Sequence, residues 1–469
     1  MRTLVPIILL TALGIFAHSR SPATEQEKSP AQDEAKFAKV LFDQSSKPVV
    51  IAHVTVIDAT GGAPQEDMTV VIAGNRITRV DKTANVKIPR EAQVLEAKGK
   101  FLVPGLWDMH VHLSWTTASA LSVLVANGVT GVRDMGGRLG EIDEWRTKIA
   151  TGLLVGPRIV RAGPQLNGQK FNPYQMVTGN PDETRGVVRA LKEVGVDFIK
   201  VHRRLPRDSY FAAIDEAKRQ GLLLVGHIPM TVTPEEASDA GQATIEHVET
   251  LFEGTFSTAL KDQKLSGAIR QWRTAEGGKL FARFVKNHTV VTPALAGWHW
   301  VIEFSDPSLP PDPRSRYVAL SMKKAFPRPS KTSAEELIEL KQRFAEFREV
   351  VRQMNRSGVT VMAGTDVAGP RVPGFSLHDE LAVLVECGLT PLQALQAATL
   401  TPARLLNKAE DFGTVASGKF ADLVLLDANP LEDIRNTQKV RAVVLNGRLL
   451  DRRELNRLLA EAEALASTQ

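Results

Sequence analysis

Residues Val103-Pro104-Gly105-Leu106-Trp107-Asp108-Met109-His110-Val111-His112 decide how the rest of the chain is read. A Pro-Gly corner leads into an apolar run that ends in two histidines at i and i+2. Positions two apart on a strand point the same way, so His110 and His112 can grip one metal ion together. In a parallel α/β barrel the active face lies at the C-terminal ends of the strands, which is where this pair sits.

Working outward, seven more runs have the same texture: 129–135, 158–166, 198–202, 222–228, 244–249, 289–295 and 359–366. Stretches with helical periodicity separate most of them, such as 118–127, 183–194, 208–220, 234–240 and 333–356. Eight β/α units in roughly 290 residues fit a (β/α)8 barrel, which typically needs ~250. The expected barrel spans 105–400. A Pro-rich insertion, 307–329, interrupts it before the eighth strand and reads as either a lid or a surface decoration. On both sides lie short alternating apolar runs with hairpin signals at Gly74-Asn75 and Asn446-Gly447. Neither set has enough strands to be stable alone. Together, 48–104 and 401–455 are expected to form a small discontinuous β-sandwich into which the barrel is inserted. Residues 456–469 read as a C-terminal tail.

Four further strand ends carry polar residues: Lys200, His227, His247 and Asp366. A polar group facing a barrel interior needs a partner, and these six residues can serve one another. Lys200 is diagnostic, because an ammonium beside divalent cations is repelled and burial favours the neutral amine. A neutral amine can take up carbon dioxide as a carbamate, an anionic two-oxygen ligand able to bridge two metals. His202 and His299 lie close enough to strand ends to be candidate substrate contacts. Arg133 and Arg203 are candidates to clamp a substrate carboxylate.

The chain has 469 residues with 43% hydrophobic and 24% charged, which excludes a mostly disordered protein. A net charge of +5 is diluted over 58 basic and 53 acidic residues, with no basic stripe, so no nucleic-acid partner is expected. The single cysteine, Cys387, rules out an internal disulfide and a thiolate-rich zinc cluster. Near the start, Arg2 precedes an apolar run over 4–17, shorter than the ~20 residues of a spanning helix. Residues 1–23 therefore read as a signal peptide and 24–47 as a linker. The expected destination is periplasmic or extracellular, with no membrane span left after cleavage.

Taken together these motifs resemble the amidohydrolase superfamily, in particular its imidazolonepropionase-like group, which includes binuclear metallo-dipeptidases. The resemblance covers about residues 48–450. It is carried by the 103–112 run, Gly128-Val129-Thr130-Gly131-Val132-Arg133-Asp134, Asp197-Phe198-Ile199-Lys200, Thr244-Ile245-Glu246-His247, Ala363-Gly364-Thr365-Asp366 and the 413–423 run. It implies two divalent metal ions, zinc by expectation. His110, His112 and Asp366 would bind the more buried ion, His227 and His247 the second, and carboxylated Lys200 would bridge them. It further implies attack by a metal-bridging hydroxide, with Asp366 as the catalytic base and then acid. The expected substrates are dipeptides or N-acyl amino acids cleaved at the amide, and a homo-oligomer is compatible with the pattern.

Two departures fall where substrate should lie. The group often has Ser-Gly-Gly shortly after the bridging lysine, where this chain has Val201-His202-Arg203-Arg204-Leu205. At strand seven Thr292-Pro293-Ala294-Leu295 replaces Thr-Pro-Thr-Leu. The alternatives are a mononuclear deaminase or imidazolone-ring hydrolase, a lactone or ester hydrolase on the same fold, and a non-enzymatic exported scaffold. The deaminase reading is weakened by His227-Ile228-Pro229-Met230, which lacks the acid of a His-x-x-Glu motif.

Overall fold

The computed structural model describes residues 47–254 and 265–468. The expected signal peptide, and nearly all of the linker, lie outside these residues. Among the described residues, no helix is long and apolar enough to cross a membrane.

The two chain ends meet in one β-sheet. Strands β1 (Val49–Val56), β2 (Gln65–Ala73), β3 (Arg76–Lys82), β4 (Gln93–Glu96) and β5 (Phe101–Pro104) come from the first half. The second half returns after the central region as β15 (Leu423–Leu426), β16 (Val440–Leu445) and β17 (Arg448–Leu450). Their order is β17-β16-β15-β5-β1-β2-β3, with β4 also paired to β1. The two halves of the expected sandwich are not separate sheets, because β5 hydrogen-bonds both β1 and β15 and so joins them into one continuous eight-stranded sheet. The alternation of apolar residues still works as expected. Val54, Val56, Val70, Ile72, Leu102, Leu423, Leu425 and Val444 form a single buried cluster. The two hairpin tips touch. Gly447, at φ +84, leaves no room for a Cβ, which would lie 1.9 Å from the carbonyl oxygen of Gly74.

The central strands are β6 (Leu106–Val111), β7 (Val129–Asp134), β8 (Arg158–Arg161), β9 (Gln165–Asn167), β10 (Gln175–Val177), β11 (Phe198–Val201), β12 (Leu223–Gly226), β13 (Thr244–Glu246) and β14 (Val290–Thr292). They pair in parallel as two sheets, β6-β7-β8 and β10-β9-β11-β12-β13-β14. Backbone bonds link the two. On one side Asp197 N donates to Arg161 O at 2.9 Å. On the other, residues 359–367 bridge β14 through Val291↔Val361 and β6 through Val111↔Val367. The expected third strand divides at Gly163-Pro164 into β8 and β9, since proline has no N–H to continue a ladder. The expected eighth strand is held by isolated bridges rather than a regular ladder.

Helices surround this ring and start on strong signals. Asn180 caps Pro181–Glu193, while Thr233 and Ser333 form capping boxes with Glu236 and Glu336. Val132, Leu166, Ile199, Ile245 and Val291 are fully buried in the largest apolar cluster. Each such side chain contributes roughly 1.5–3 kcal/mol by burial.

Two expected segments change character. Residues 456–469 are mostly part of a helix, Arg452–Ala466, which packs on the helix Ser119–Ala126 and buries Leu455, Leu458 and Ala462. The insertion folds as a 3-10 turn, Pro313–Tyr317, followed by the helix Leu320–Ala325. It is tied down by Arg328, which donates to the carbonyls of Glu303, Phe304 and Leu309 at 2.7, 3.0 and 2.7 Å, and also to that of Asp306.

Candidate metal centre

Six side chains predicted as ligands come from five different stretches of chain, and the ring brings them to one end. His110 and His112 leave the end of β6, Lys200 lies in β11, His227 follows β12, His247 follows β13 and Asp366 follows the bridged stretch. Turning these residues inward bends the backbone. His247 (φ +65), Ala294 (φ +52) and Asp366 (φ +54) all occupy the left-handed region, which costs a non-glycine residue of order 1–3 kcal/mol. Ring bonds hold the bends: His247 N donates to Thr292 O at 2.8 Å and Asp366 N to His110 O at 2.7 Å.

The donor atoms converge. One nitrogen each of His110 and His247 and an oxygen of Asp366 lie within 4.8 Å of one another. Asp366 Oδ1 is 3.2 Å from His112 Nε2 and 3.5 Å from His110 Nε2. The His247 ring is 4.6 Å from that of His110 and 4.8 Å from that of His227, so it stands between the two expected metal positions. His110 Nε2, His227 Nδ1 and Lys200 Nζ are buried with no hydrogen-bond partner in the protein. Buried polar atoms are rarely left this way unless a ligand takes them up, so the residues fit a cation site.

The electrostatics agree with that fit. Burial, followed by the Lys200 charge, holds His110 well below the ordinary imidazole range. Burial and the neighbouring His202 do the same to His227, and burial brings His247 down to about 4. All three are therefore neutral imidazoles, the form that ligates metal. Burial also lowers Lys200 to about 8. Burial alone would raise the Asp366 carboxyl, but the Arg371 guanidinium, with Nη1 at 2.6 Å from Oδ2, holds it well below the usual carboxylate range.

Behind the ligands lies a buried scaffold that sequence reading passed over. Glu246 Oε2 pairs with His110 Nδ1 at 2.9 Å, and Arg133 Nη2 donates to Glu246 Oε1 at 2.6 Å. Burial opposes the Glu246 charge, yet Arg133 and His110 outweigh it and keep the carboxylate ionised. Asp108 accepts from Thr365 Oγ1 at 2.6 Å and from the amide nitrogens of Thr365 and His110. The signal for both was present, as charged residues inside otherwise apolar strands, immediately beside or two positions from a histidine. His112 Nδ1 lies 3.2 Å from Gly136 O.

Of the four expected substrate contacts, the structure brings two to the cavity. A pocket of ≈ 220 Å³ opens over the ligands and is lined by His202 and Arg203. Arg133 is not on its wall. Its guanidinium is fully buried and committed to Met109 O, Thr244 Oγ1 and Glu246, so it supports the ligands from behind. His299 is not on the wall either. It points outward from the helix Leu295–Ser305, half exposed, with Nε2 3.9 Å from Glu303. Its neighbours Trp298 and Trp300 do line the cavity.

The remaining wall was not anticipated. It includes Trp115, Trp298, Trp300 and Phe326, together with Glu249, Glu253 and Arg371. Phe326 belongs to the Pro-rich insertion, which thus builds one side of the pocket. Burial raises the Glu249 carboxyl to about 7, with Trp298 Nε1 donating to it at 2.9 Å.

Comparison with known proteins agrees with this geometry. Residues 101–450 match the Amidohydrolase family. An ochratoxinase from Aspergillus niger is 25% identical over 474 residues, covering 86% of each chain. Among solved structures, a Xaa-Pro dipeptidase with methionine bound in its active site superposes with a TM-score of 0.68. It is 22% identical and covers 86% of this chain and 100% of its own. A bottromycin amidohydrolase gives 0.72 at 22% identity, covering 92% of both chains. The structural likenesses show a shared fold, and the family match over three quarters of the length identifies the chain as a member of the amidohydrolase family.

Proposed function

We propose that the protein is an exported binuclear zinc amidohydrolase that cleaves amide bonds of dipeptides or N-acyl amino acids. The observation that carries this reading is the convergence of four histidines, Lys200 and Asp366, with His110 Nε2, His227 Nδ1 and Lys200 Nζ buried and unpartnered. The relatives named ochratoxinase, Xaa-Pro dipeptidase and bottromycin amidohydrolase support hydrolysis of a carbon–nitrogen bond.

Two divalent cations, one held by His110, His112 and Asp366, the other by His227 and His247, with Lys200 between, would supply Lewis acidity and lower the pKa of water. The protein's own groups do the rest. Arg371 fixes Asp366 through Oδ2, which leaves the carboxylate ionised and turned to the cavity. There it accepts the proton of the attacking water and returns it to the departing amine nitrogen. Glu246 fixes the tautomer of His110 by taking its Nδ1 side, which aims Nε2 at the cavity. Trp115, Trp298, Trp300 and Phe326 exclude water around the substrate.

Lys200 enters as a neutral amine, which burial makes accessible near neutral pH. Its nitrogen forms a bond to the carbon of carbon dioxide and releases a proton to solvent, giving an anionic carbamate. The test is metal analysis and turnover by zinc-reconstituted protein across a panel of dipeptides and N-acyl amino acids. Two zinc ions per chain and cleavage of at least one amide are expected. Less than one ion, or no amide or ester turnover, defeats the reading. Export is tested by locating the mature protein after cell fractionation.

A further inference from the structure

The cavity over the candidate ligands carries more aromatic surface than amide hydrolysis requires. Trp115, Trp298, Trp300 and Phe326 line it, and all four are only half-buried. Large rings stabilise most when fully removed from water, and folding has left part of each one uncovered around a concave wall. Single exposed apolar residues are ordinary on a protein surface, but rings gathered around one cavity suit an apolar ligand.

Trp115 and Phe326 make a corner of this wall beside His112 and Asp366. Trp115 ends the 3-10 turn Leu113–Trp115 that directly follows His112, and Ala368, Gly369 and Pro370 line the cavity just after Asp366. These pieces are tied together. Gly369 N donates to Trp115 O at 3.2 Å. Phe326 lies so close to Gly369 that an added Cβ would stand 3.1 Å from its ring. The Trp115 and Phe326 rings meet at a steep angle, with centroids 6.1 Å apart. Tyr174 packs edge-on to Trp115 at 4.9 Å, and its hydroxyl donates to Ser114 O at 2.7 Å. Two residues beyond Phe326, Arg328 donates to the carbonyls of Glu303 and Phe304, in the helix that carries Trp298 and Trp300. The corner is therefore preformed, with both rings fixed by neighbours outside the cavity.

Its size suits one ring. The cavity measures ≈ 220 Å³, and an apolar cavity of about 150 Å³ is enough to take up benzene. A phenyl group can fill the corner and leave space for an amide to reach the candidate ligands.

We propose that Trp115 and Phe326 form a subsite for an aromatic ring of the substrate, so that the preferred amides carry a benzyl-sized group next to the scissile bond. This rests on the amide-hydrolase reading and narrows it to aromatic dipeptides and aromatic N-acyl amino acids. The ring can belong to the residue that supplies the carbonyl or to the one that supplies the amine, and the recognition is the same.

Three dipeptides separate these sources: Ala-Ala, Phe-Ala and Ala-Phe. With zinc-reconstituted protein, at least one phenylalanyl substrate should exceed Ala-Ala in kcat/KM by roughly ten- to a hundredfold, the range for filling an apolar pocket. In Phe326→Ala that ratio should collapse toward one. Trp115→Leu should do the same and serves as the second variant if loss of Phe326 loosens the insertion. Equal kcat/KM for all three substrates in the unmodified enzyme, or an unchanged ratio in a folded variant, overturns the proposal. A binding readout separates it from the hydrolase reading: calorimetric titration with N-acetylphenylalaninamide and with N-acetylalaninamide. If no amide is cleaved, yet the phenylalanyl compound binds in preference and a folded variant loses that preference, the subsite stands and the hydrolase reading falls. If the phenylalanyl compound binds no better than the alanyl one, the subsite falls.

Discussion

The two halves of the candidate metal centre are built differently. On one side each candidate ligand is held by another group of the protein: His110 by Glu246, His112 by the Gly136 carbonyl and Asp366 by Arg371. On the other side Lys200 Nζ and His227 Nδ1 are buried with nothing in the protein to hold them. The first half is preorganised by the fold. The second half carries donors whose burial is compensated only when something binds. Such a division puts the cost of the site on the residues that need a ligand, and its rigidity on those that orient one.

Lys200→Met is the strongest way to break this contrast. Activity should fall to background and metal content from two ions to about one per chain, since the bridging group is gone. The metal-free variant should nonetheless melt no lower than the parent, because an unpartnered buried amine is replaced by an apolar chain of similar size. Full activity with two bound ions would show that the open half does not work as described.

Glu246→Gln attacks the anchored half and should show the opposite pattern. Arg133 would keep its buried charge without a counter-charge, costing about 3–5 kcal/mol of stability. Metal affinity, followed by competition with a chelator, should weaken roughly 10–100-fold as His110 loses its orienting carboxylate. A stable variant with unchanged affinity would mean that the scaffold behind His110 is idle.

The smallest effect is expected further out, at Glu380. This carboxyl lies in the helix Phe375–Glu386 and accepts from Ala296 N at 2.6 Å, which fixes the start of the helix carrying Trp298 and Trp300. Burial raises it to about 8 from the ordinary 4.5. Because the folded state favours the protonated form, its stabilising contribution is complete below about pH 4.5 and is lost as pH rises through about 8. Glu380→Gln keeps the acceptor and removes the titration. Its Tm should exceed that of the parent by a few degrees above about pH 8, with the gap closing towards about pH 5. A gap independent of pH would show that the carboxyl does not titrate in the fold.

Much of the site was legible because metal ligands have a narrow chemistry. Few residue types bind a metal, and four histidines, a lysine and an aspartate at the ends of apolar runs are hard to read otherwise. The substrate contacts were harder. His202 and Arg203 do line the pocket, while Arg133 and His299, chosen by the same reasoning, do not. Nearness to a strand end does not say whether a side chain turns into the cavity, behind it or away. Phe326 carried no local signal, because its place on the wall depends on how the 307–329 insertion folds back.

The sequence by itself determined the α/β alternation, the six candidate ligand positions and the pairing of the two chain ends, since each follows from periodicity or from the chemistry of single residues. Only the tertiary structure decided that the ends join in one sheet through β5 and that the last residues form a docked helix. It alone decided that Arg133 serves Glu246 and that Glu249 and Glu253 face the pocket. These features depend on contacts between residues far apart in the chain, where a side chain's direction is fixed by what packs against it rather than by its neighbours in sequence.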